Sequence, residues 1–234
     1  MREKKAQRTK SNGTCSLCGK SISKAGMTRH LKSCIDANVF VRSPSNGRRK
    51  RKRIFHIMIE GERLPRYWLH IEAQADLMLR DLDDFLRDVW LECCGHMSVF
   101  KVGGKRYEPI EPDPFYYESE EMDIELSKVF RPGIKIPYEY DFGSTTPLTI
   151  KVVSEREGVL PDKKIRILAR NDDPLMKCEL CGRIARQVCI HCIWSDKGWV
   201  CNRCVRKHRC IEQLFLPVVN SPRIGMCGYT GVPY

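Results

Sequence analysis

The sequence predicts an α+β protein in which a central mixed-sheet domain with packed helices is flanked at each end by a small cysteine-rich unit. Three observations lead there. Several segments between residues 54 and 172 alternate apolar and polar residues, one segment among them switches to helical spacing, and every C-x-x-C pair falls outside that stretch. Composition separates four parts: 1–36, a linker at 37–53, a core domain at 54–172 and a C-terminal module at 173–234.

In the first part, Cys15-x2-Cys18 is followed after eleven residues by His30-x3-Cys34. This spacing is close to that of a ββα-type zinc finger, with Cys in the last ligand place. Ile22 and Met27 stand where such a finger needs its two core residues. Ser23 is placed to cap a helix that carries His30 and Cys34 on one face. The linker contains SPSNG, which is turn chemistry, and then RRKRKR. Six adjacent cations repel one another, so Arg48, Arg49, Lys50, Arg51, Lys52 and Arg53 are expected to stay extended until an anion neutralises them. They are the candidate nucleic-acid contacts.

The core domain opens with IFHIMIE and YWLHIEA, which read as half-buried strands joined through Gly61-Glu62. Leu82, Phe85, Leu86, Val89 and Cys93 then form an apolar stripe at helical spacing, with Asp81, Asp83, Asp84, Arg87 and Asp88 on the other face. SVFKVGG and KRYEPI read as a hairpin at Gly103-Gly104, EPDPFYYESEEMD as an exposed acidic loop, and ELSKVF as a short helix. KIPYEYDF, PLTIKVVSERE and IRILAR supply further strands. Cys93 and Cys94 lack a spaced partner and are expected to be buried or neutral thiols.

The last part has little periodicity and eight of the thirteen cysteines. So short a segment with few apolar runs cannot build an ordinary core, so metal must replace it. Cys178-x2-Cys181, Cys189-x2-Cys192, Cys201-x2-Cys204 and His208-x-Cys210 supply eight ligands, enough for two closed tetrahedral zinc sites. The favoured pairing is interleaved. Cys178, Cys181, Cys201 and Cys204 would hold one ion, and Cys189, Cys192, His208 and Cys210 the other. Sequential pairing stays open, as does displacement of His208 or Cys210 by His191 or Cys227. Three Zn2+ are expected in all, and closed sites leave no position for a hydrolytic water. Trp194 and Trp199 are expected to pack around the metal rather than stack on bases.

Charge sharpens this reading. Residues 1–53 carry sixteen Lys/Arg against two acids, a net +14, whereas 54–172 total −7 and 173–234 total +5. A basic arm beside a metal module suits a polyanionic partner, DNA or RNA including ribosomal RNA, while the central or C-terminal part holds a protein partner. No apolar run is long enough for a membrane span, and the start MREKKAQRTK lacks the apolar core of a signal peptide. A reducing, cytoplasmic setting and metal-bound rather than disulfide-bonded cysteines are expected.

The order of a strand pair, the helix LRDLDDFLRDVW, HMSVF, LSKVF and YEYDFG resembles the plasmid pRiA4b ORF-3-like family of bacteria, archaea and mobile-element passenger proteins. The resemblance spans about residues 54–160. It implies a compact α+β domain with a mixed sheet and no established activity. The C-terminal cysteine run with LPVVNSPRIGMCGYTG is similar to the zinc-rich extension of one subgroup. Trp90, His96 and Phe100 match the family's W and H-x-x-x-F, and Tyr140, Asp141, Phe142 and Gly143 match YDFG. Ser98 replaces a second histidine, and Ser144, Thr146 and Leu148 replace the Asp, Trp and His that usually follow. Asp141 and His96 are the remaining acid/base candidates, and the expected roles for them are a turn cap and a helix-end hydrogen bond. With no Gly-rich phosphate loop, no G-x-S-x-G and no paired carboxylates, a non-enzymatic, zinc-dependent nucleic-acid-binding protein is the leading expectation. A zinc-structured interaction scaffold is second, and a mobile-element nuclease or hydrolase third.

Overall fold

The computed structural model describes residues 11–41, 50–109, 119–160, 164–195 and 197–231. Among these, thirteen strands and three α-helices form a sheet-dominated, mixed α+β architecture. At the N-terminus, β1 (Asn12–Cys15), β2 (Ser21–Ser23) and α1 (Lys24–Val41) follow one another in ββα order. The long antiparallel pair β3 (Lys52–Gly61) and β4 (Trp68–Gln74) comes next. Helix α2 (Leu79–Leu86) passes into a π-helical turn at Arg87–Leu91. Strands β5 (Ser98–Val102), β6 (Lys105–Glu108) and β7 (Ser119–Glu121), helix α3 (Leu126–Val129), then β8 (Lys135–Tyr140), β9 (Thr146–Gly158) and β10 (Ile165–Asn171) complete the central part.

Ten strands make one sheet in the order β2-β1-β10-β4-β3-β9-β8-β5-β6-β7. The β6–β7 pair is parallel and the other pairs are antiparallel. The sheet thus runs without a break from the ββα unit into the core domain. Gly13 pairs with Asn171 and Cys15 with Ala169, so β1 extends the edge that β10 would otherwise leave open.

Two cores lie on the sheet. The larger joins Ile57, Ile59, Leu69 and Ile71 to Leu82, Leu86, Trp90 and Leu91 of the helical segment, and takes in Val188, Trp199 and Ile224 from the C-terminal part. The smaller packs Met27, Leu31 and Ile35 of α1 on Trp68, Leu168 and Ala169. Because α1 covers Trp68, β4 is buried from Trp68 to Ala73 and is not the half-buried strand that its alternation suggests. Its inner polar residues are partnered: both Glu72 carboxylate oxygens accept hydrogen bonds from arginines, Arg156 at 2.6 Å and Arg166 at 2.7 Å, and His56 Nε2 lies 2.9 Å from His70 Nδ1. The expected helical stripe continues past α2, but a π turn admits an extra residue, so the adjacent Trp90 and Leu91 are both fully buried.

The basic run is split. Arg48 and Arg49 lie outside the described residues, while Lys50 and Arg51 are exposed. Lys52 and Arg53 are not free linker residues, because they begin β3 and pair with Asp76 and Glu155. The acidic stretch is divided likewise, with 110–118 outside the described residues and 119–121 in β7, where a loop was expected. A second, three-stranded sheet of β12 (Trp199–Val200), β11 (Gln187–Cys189) and β13 (Phe215–Pro217) organises the C-terminal part.

Candidate metal centres

Two ligands bound 2.3 Å from a tetrahedral ion stand about 3.8 Å apart, slightly less when one is imidazole nitrogen. Four groups of side chains meet this requirement, each with its ligand atoms within 4.8 Å of one another. The first is Cys15, Cys18, His30 and Cys34. Cys15 ends β1 and Cys18 stands in the turn that follows, and α1 presents His30 and Cys34 one turn apart. Cys15 and Cys34 sulfurs are 3.9 Å apart, and Cys18 Sγ is 3.4 Å from His30 Nε2.

The second group is Cys178, Cys181, Cys201 and Cys204, and the third is Cys189, Cys192, His208 and Cys210. This is the interleaved arrangement. Sulfur separations are 3.6 Å for Cys181–Cys201 and for Cys189–Cys210, and Cys192 Sγ lies 3.3 Å from His208 Nε2. Gly198, at φ +85°, passes so close to Cys189 and Cys192 that a Cβ would stand 3.0 and 2.8 Å from theirs. Glu179, between the two cysteines of the second group, takes His208 Nδ1 at 2.8 Å and the Gly198 N–H at 2.9 Å. A carboxylate on Nδ1 turns Nε2 toward the ligand cluster. Glu179 therefore locks the two groups together. His191 instead pairs with Glu212 at 2.9 Å and lies outside both groups. Both tryptophans were expected to pack around metal; Trp199 is instead buried in the larger apolar core, and Trp194 is 64% exposed.

The fourth group, Cys93, Cys94, His96 and Cys227, was not anticipated. Cys94 and Cys227 are exposed and Cys93 half-buried, so of the expectation that Cys93 and Cys94 are buried or neutral thiols the buried alternative does not hold. The C-C-G-H turn is held from several sides. Arg87 Nη2 donates to the His96 carbonyl at 2.7 Å and to Ser98 Oγ at 2.9 Å, while Glu92 Oε1 accepts the Gly95 N–H at 2.5 Å. Gly95 has φ +75°, a left-handed conformation that suits glycine. A count would have disclosed the group. Ten of the thirteen cysteines fill the first three groups, and the remaining three, with His96 beside two of them, make a fourth set.

Next to it the structure brings together the two acid/base candidates, with His96 Nε2 3.5 Å from Asp141 Oδ2. Asp141 is nevertheless fully engaged. Oδ1 accepts the N–H groups of Gly143 at 2.9 Å and Ser144 at 3.1 Å, the turn cap that was expected, and Oδ2 accepts Arg223 Nη2 at 2.6 Å. Burial disfavours its charge, but the bonds from Arg223 and the two backbone N–H groups outweigh it and hold the carboxyl below the usual range. Arg223 is wholly buried over the Tyr140 ring and also donates to the Ser144 carbonyl at 2.9 Å and Thr146 Oγ1 at 3.1 Å. The tail thus docks on Ser144 and Thr146, two of the positions that depart from the resembled pattern.

Among the described residues, no helix is long and apolar enough to cross a membrane. No functionally curated protein matches the chain. A solved structure, a protein of unknown function, MM3350, from Methanosarcina mazei Go1, is 18% identical over 51% of this chain and 69% of its own, with a TM-score of 0.45. The family described as plasmid pRiA4b ORF-3-like protein matches residues 53–172, which hold strands β3 to β10 and the Trp90, His96, Phe100 and YDFG positions. On this match over half its length, the chain belongs to the plasmid pRiA4b ORF-3-like family.

Proposed function

We propose that the protein is a non-enzymatic, zinc-dependent nucleic-acid-binding protein whose ββα unit meets the polyanion. The observation that carries this is the face of α1 turned away from the sheet. Met27, Leu31 and Ile35 point into the smaller core, which leaves Arg29 and Lys32 on the outer face together with Lys20 from the preceding turn. All three are exposed and form no ion pair among the described residues. In a ββα finger, the residue before the helix and its third and sixth residues face the bases. Here those are Ser23, Gly26 and Arg29. Zinc in the first group would fix the helix at this angle, and zinc in the second and third would hold the C-terminal module in place of an apolar core. Both oxygens of Asp141 already accept hydrogen bonds, from Arg223 and two N–H groups, which suits an anchoring role better than proton transfer.

The exposure and pairing of the cations support a revised set of contacts. Lys20, Arg29, Lys32, Lys50 and Arg51 are available, with Arg48 and Arg49 beyond description, whereas Lys52 and Arg53 are held by carboxylates. The test titrates zinc-loaded full-length protein against duplex DNA and structured RNA over a salt series. Neutralising Lys20, Arg29 and Lys32 should weaken binding and flatten the log–log salt slope by up to about 2.7, at −0.9 per phosphate contact. Lys52→Gln and Arg53→Gln should leave the slope unchanged. Binding that ignores salt, or none to either nucleic acid, would sink the reading. The full chain is required because removing residues 1–53 strips β1 and α1 from the sheet and uncovers Trp68.

One observation favours a protein partner as a second reading. Exposed large apolar side chains concentrate in the C-terminal module, at Leu175, Leu180, Ile184, Trp194, Ile211 and Leu214. A partner retained by the full chain after nuclease treatment, and lost with Trp194→Ala, would support it.

A further inference from the structure

We propose that Cys93, Cys94, His96 and Cys227 form a fourth zinc site, which clasps the C-terminal tail onto the family domain. Three of its ligands come from the turn between the π-helical segment and β5, and the fourth comes from a residue 133 positions away from Cys94. Separations are 3.8 Å for Cys93–Cys94, 3.7 Å for Cys94–Cys227, 3.1 Å for Cys94 Sγ to His96 Nε2 and 3.2 Å for Cys227 Sγ to His96 Nε2. Tetrahedral Cys3His coordination sets sulfur–sulfur separations of about 3.8 Å, which both sulfur pairs match, and sulfur–nitrogen separations of about 3.5 Å, which the two imidazole contacts approach from slightly below. A disulfide requires sulfurs about 2.05 Å apart, so neither sulfur pair is one. Burial does not explain the convergence, because Cys94 and Cys227 are exposed and gain little by meeting.

Surrounding groups fit a bound cation as well. Three thiolates and one neutral imidazole give a divalent ion a net charge of −1, and the soft donor set selects zinc over magnesium or calcium. The wholly buried Arg223, which the site shares with Asp141, brings positive charge to it, with Nη2 3.4 Å from Cys93 Sγ. The other polar groups at the site are Asp141 Oδ2, 3.5 Å from His96 Nε2 and itself bound to Arg223, and Tyr140 Oη, 4.0 Å from Cys93 Sγ. Cys227 adopts φ +45°, a left-handed conformation that costs a non-glycine residue energy and persists where another interaction offsets it. A metal–sulfur bond is such an interaction.

The clasp ties together what the chain contributes from two distant parts. Arg223 already bonds to Ser144, Thr146 and Asp141, and Ser221 Oγ donates to the Trp90 carbonyl at 2.6 Å. The site stands independently of the nucleic-acid reading and can fail or hold without it.

Native mass spectrometry of the full-length protein tests the proposal. Four zinc ions per chain are expected, falling to three in Cys94→Ser and in Cys227→Ser, with faster tryptic cleavage after Arg223 in both variants. The unsubstituted chain gives a second readout that needs no variant: Cys93, Cys94 and Cys227 should resist N-ethylmaleimide until a chelator is added. Three zinc ions with Cys94 and Cys227 freely alkylated, a Cys94–Cys227 disulfide, or four ions retained in both variants would overturn it.

Discussion

At the residue scale, buried charge in this protein is organised around arginine forks. Asp83 is almost fully buried beneath Tyr138, whose hydroxyl donates to it at 2.7 Å, and beside Arg87, whose Nε donates at 2.6 Å. Removing one partner of a buried ion pair leaves the other uncompensated, a loss of about 3–5 kcal/mol. Asp83→Ala should therefore lower unfolding free energy by that order in urea titrations. Because Arg87 also anchors the His96 carbonyl, the same change should loosen the C-C-G-H turn. The histidines of β3 and β4 behave differently. Burial, only partly offset by Glu72, pushes His56 down to about 4. Burial, with the charges of His56 and Lys24, pushes His70 down to about 3. Both stay neutral in the folded chain while the unfolded chain protonates them near 6.5. Their contribution to stability is thus complete above about pH 6.5 and declines as pH falls toward 4 and then 3, at up to about 1.4 kcal/mol per pH unit for each. Metal ligands add their own acid sensitivity, so the measurement compares urea unfolding slopes between pH 7 and 5 for the native chain and His56→Gln. A shallower slope is expected in the variant.

At the element scale, the deciding contacts are those by which small units lean on the sheet. β1 fits because Gly13 lies against the Trp68 ring and the Arg170 carbonyl, where no Cβ has room. Gly13→Val should cost about 1–3 kcal/mol and detach the ββα unit, seen as new hydrogen exchange in β1 and β10 while β3 and β9 stay protected. In the C-terminal module, Glu179 orients His208 while its neighbours Cys178 and Cys181 belong to the other group. Glu179→Gln should weaken metal retention at the third group by about 10–100-fold, measured by competition with a chelating dye. An unchanged affinity would mean that the histidine needs no such anchor.

At the scale of the whole molecule, an apolar core carries the sheet, whereas the C-terminal part offers mainly side-chain groups that could hold metal ions. The sheet from β3 to β9 rests on an apolar core of ordinary kind, whereas the apolar residues that 178–210 bring to the clusters are few: Ala185, Val188, Ile193, Trp199, Val200 and Val205. Stripping metal should therefore unfold the C-terminal module first and leave amides of β3, β4 and β9 protected. Hydrogen exchange before and after chelation distinguishes this from a single cooperative collapse. The outcome bears on function, because a tail released from Arg223 and Cys227 uncovers the Ser144–Thr146 edge of the family domain.

Much of this protein was legible along the chain. Ligand spacing is local: C-x-x-C and H-x3-C place donors within one turn or knuckle, so the ligands of the first three groups could be written down residue by residue, while the choice between interleaved and sequential pairing stayed open until the fold brought the pairs together. Alternation likewise marked the strands, since side-chain period reports burial wherever one face is wet. Tertiary structure decided what local pattern cannot encode. It paired β1 with β10, buried both faces of β4, and placed Lys52 and Arg53 on carboxylates 24 and 102 residues away. It also brought Cys227 across 133 residues to Cys94. In each case the partner is distant in sequence, and chain folding alone determines which charges are neutralised and which thiols meet.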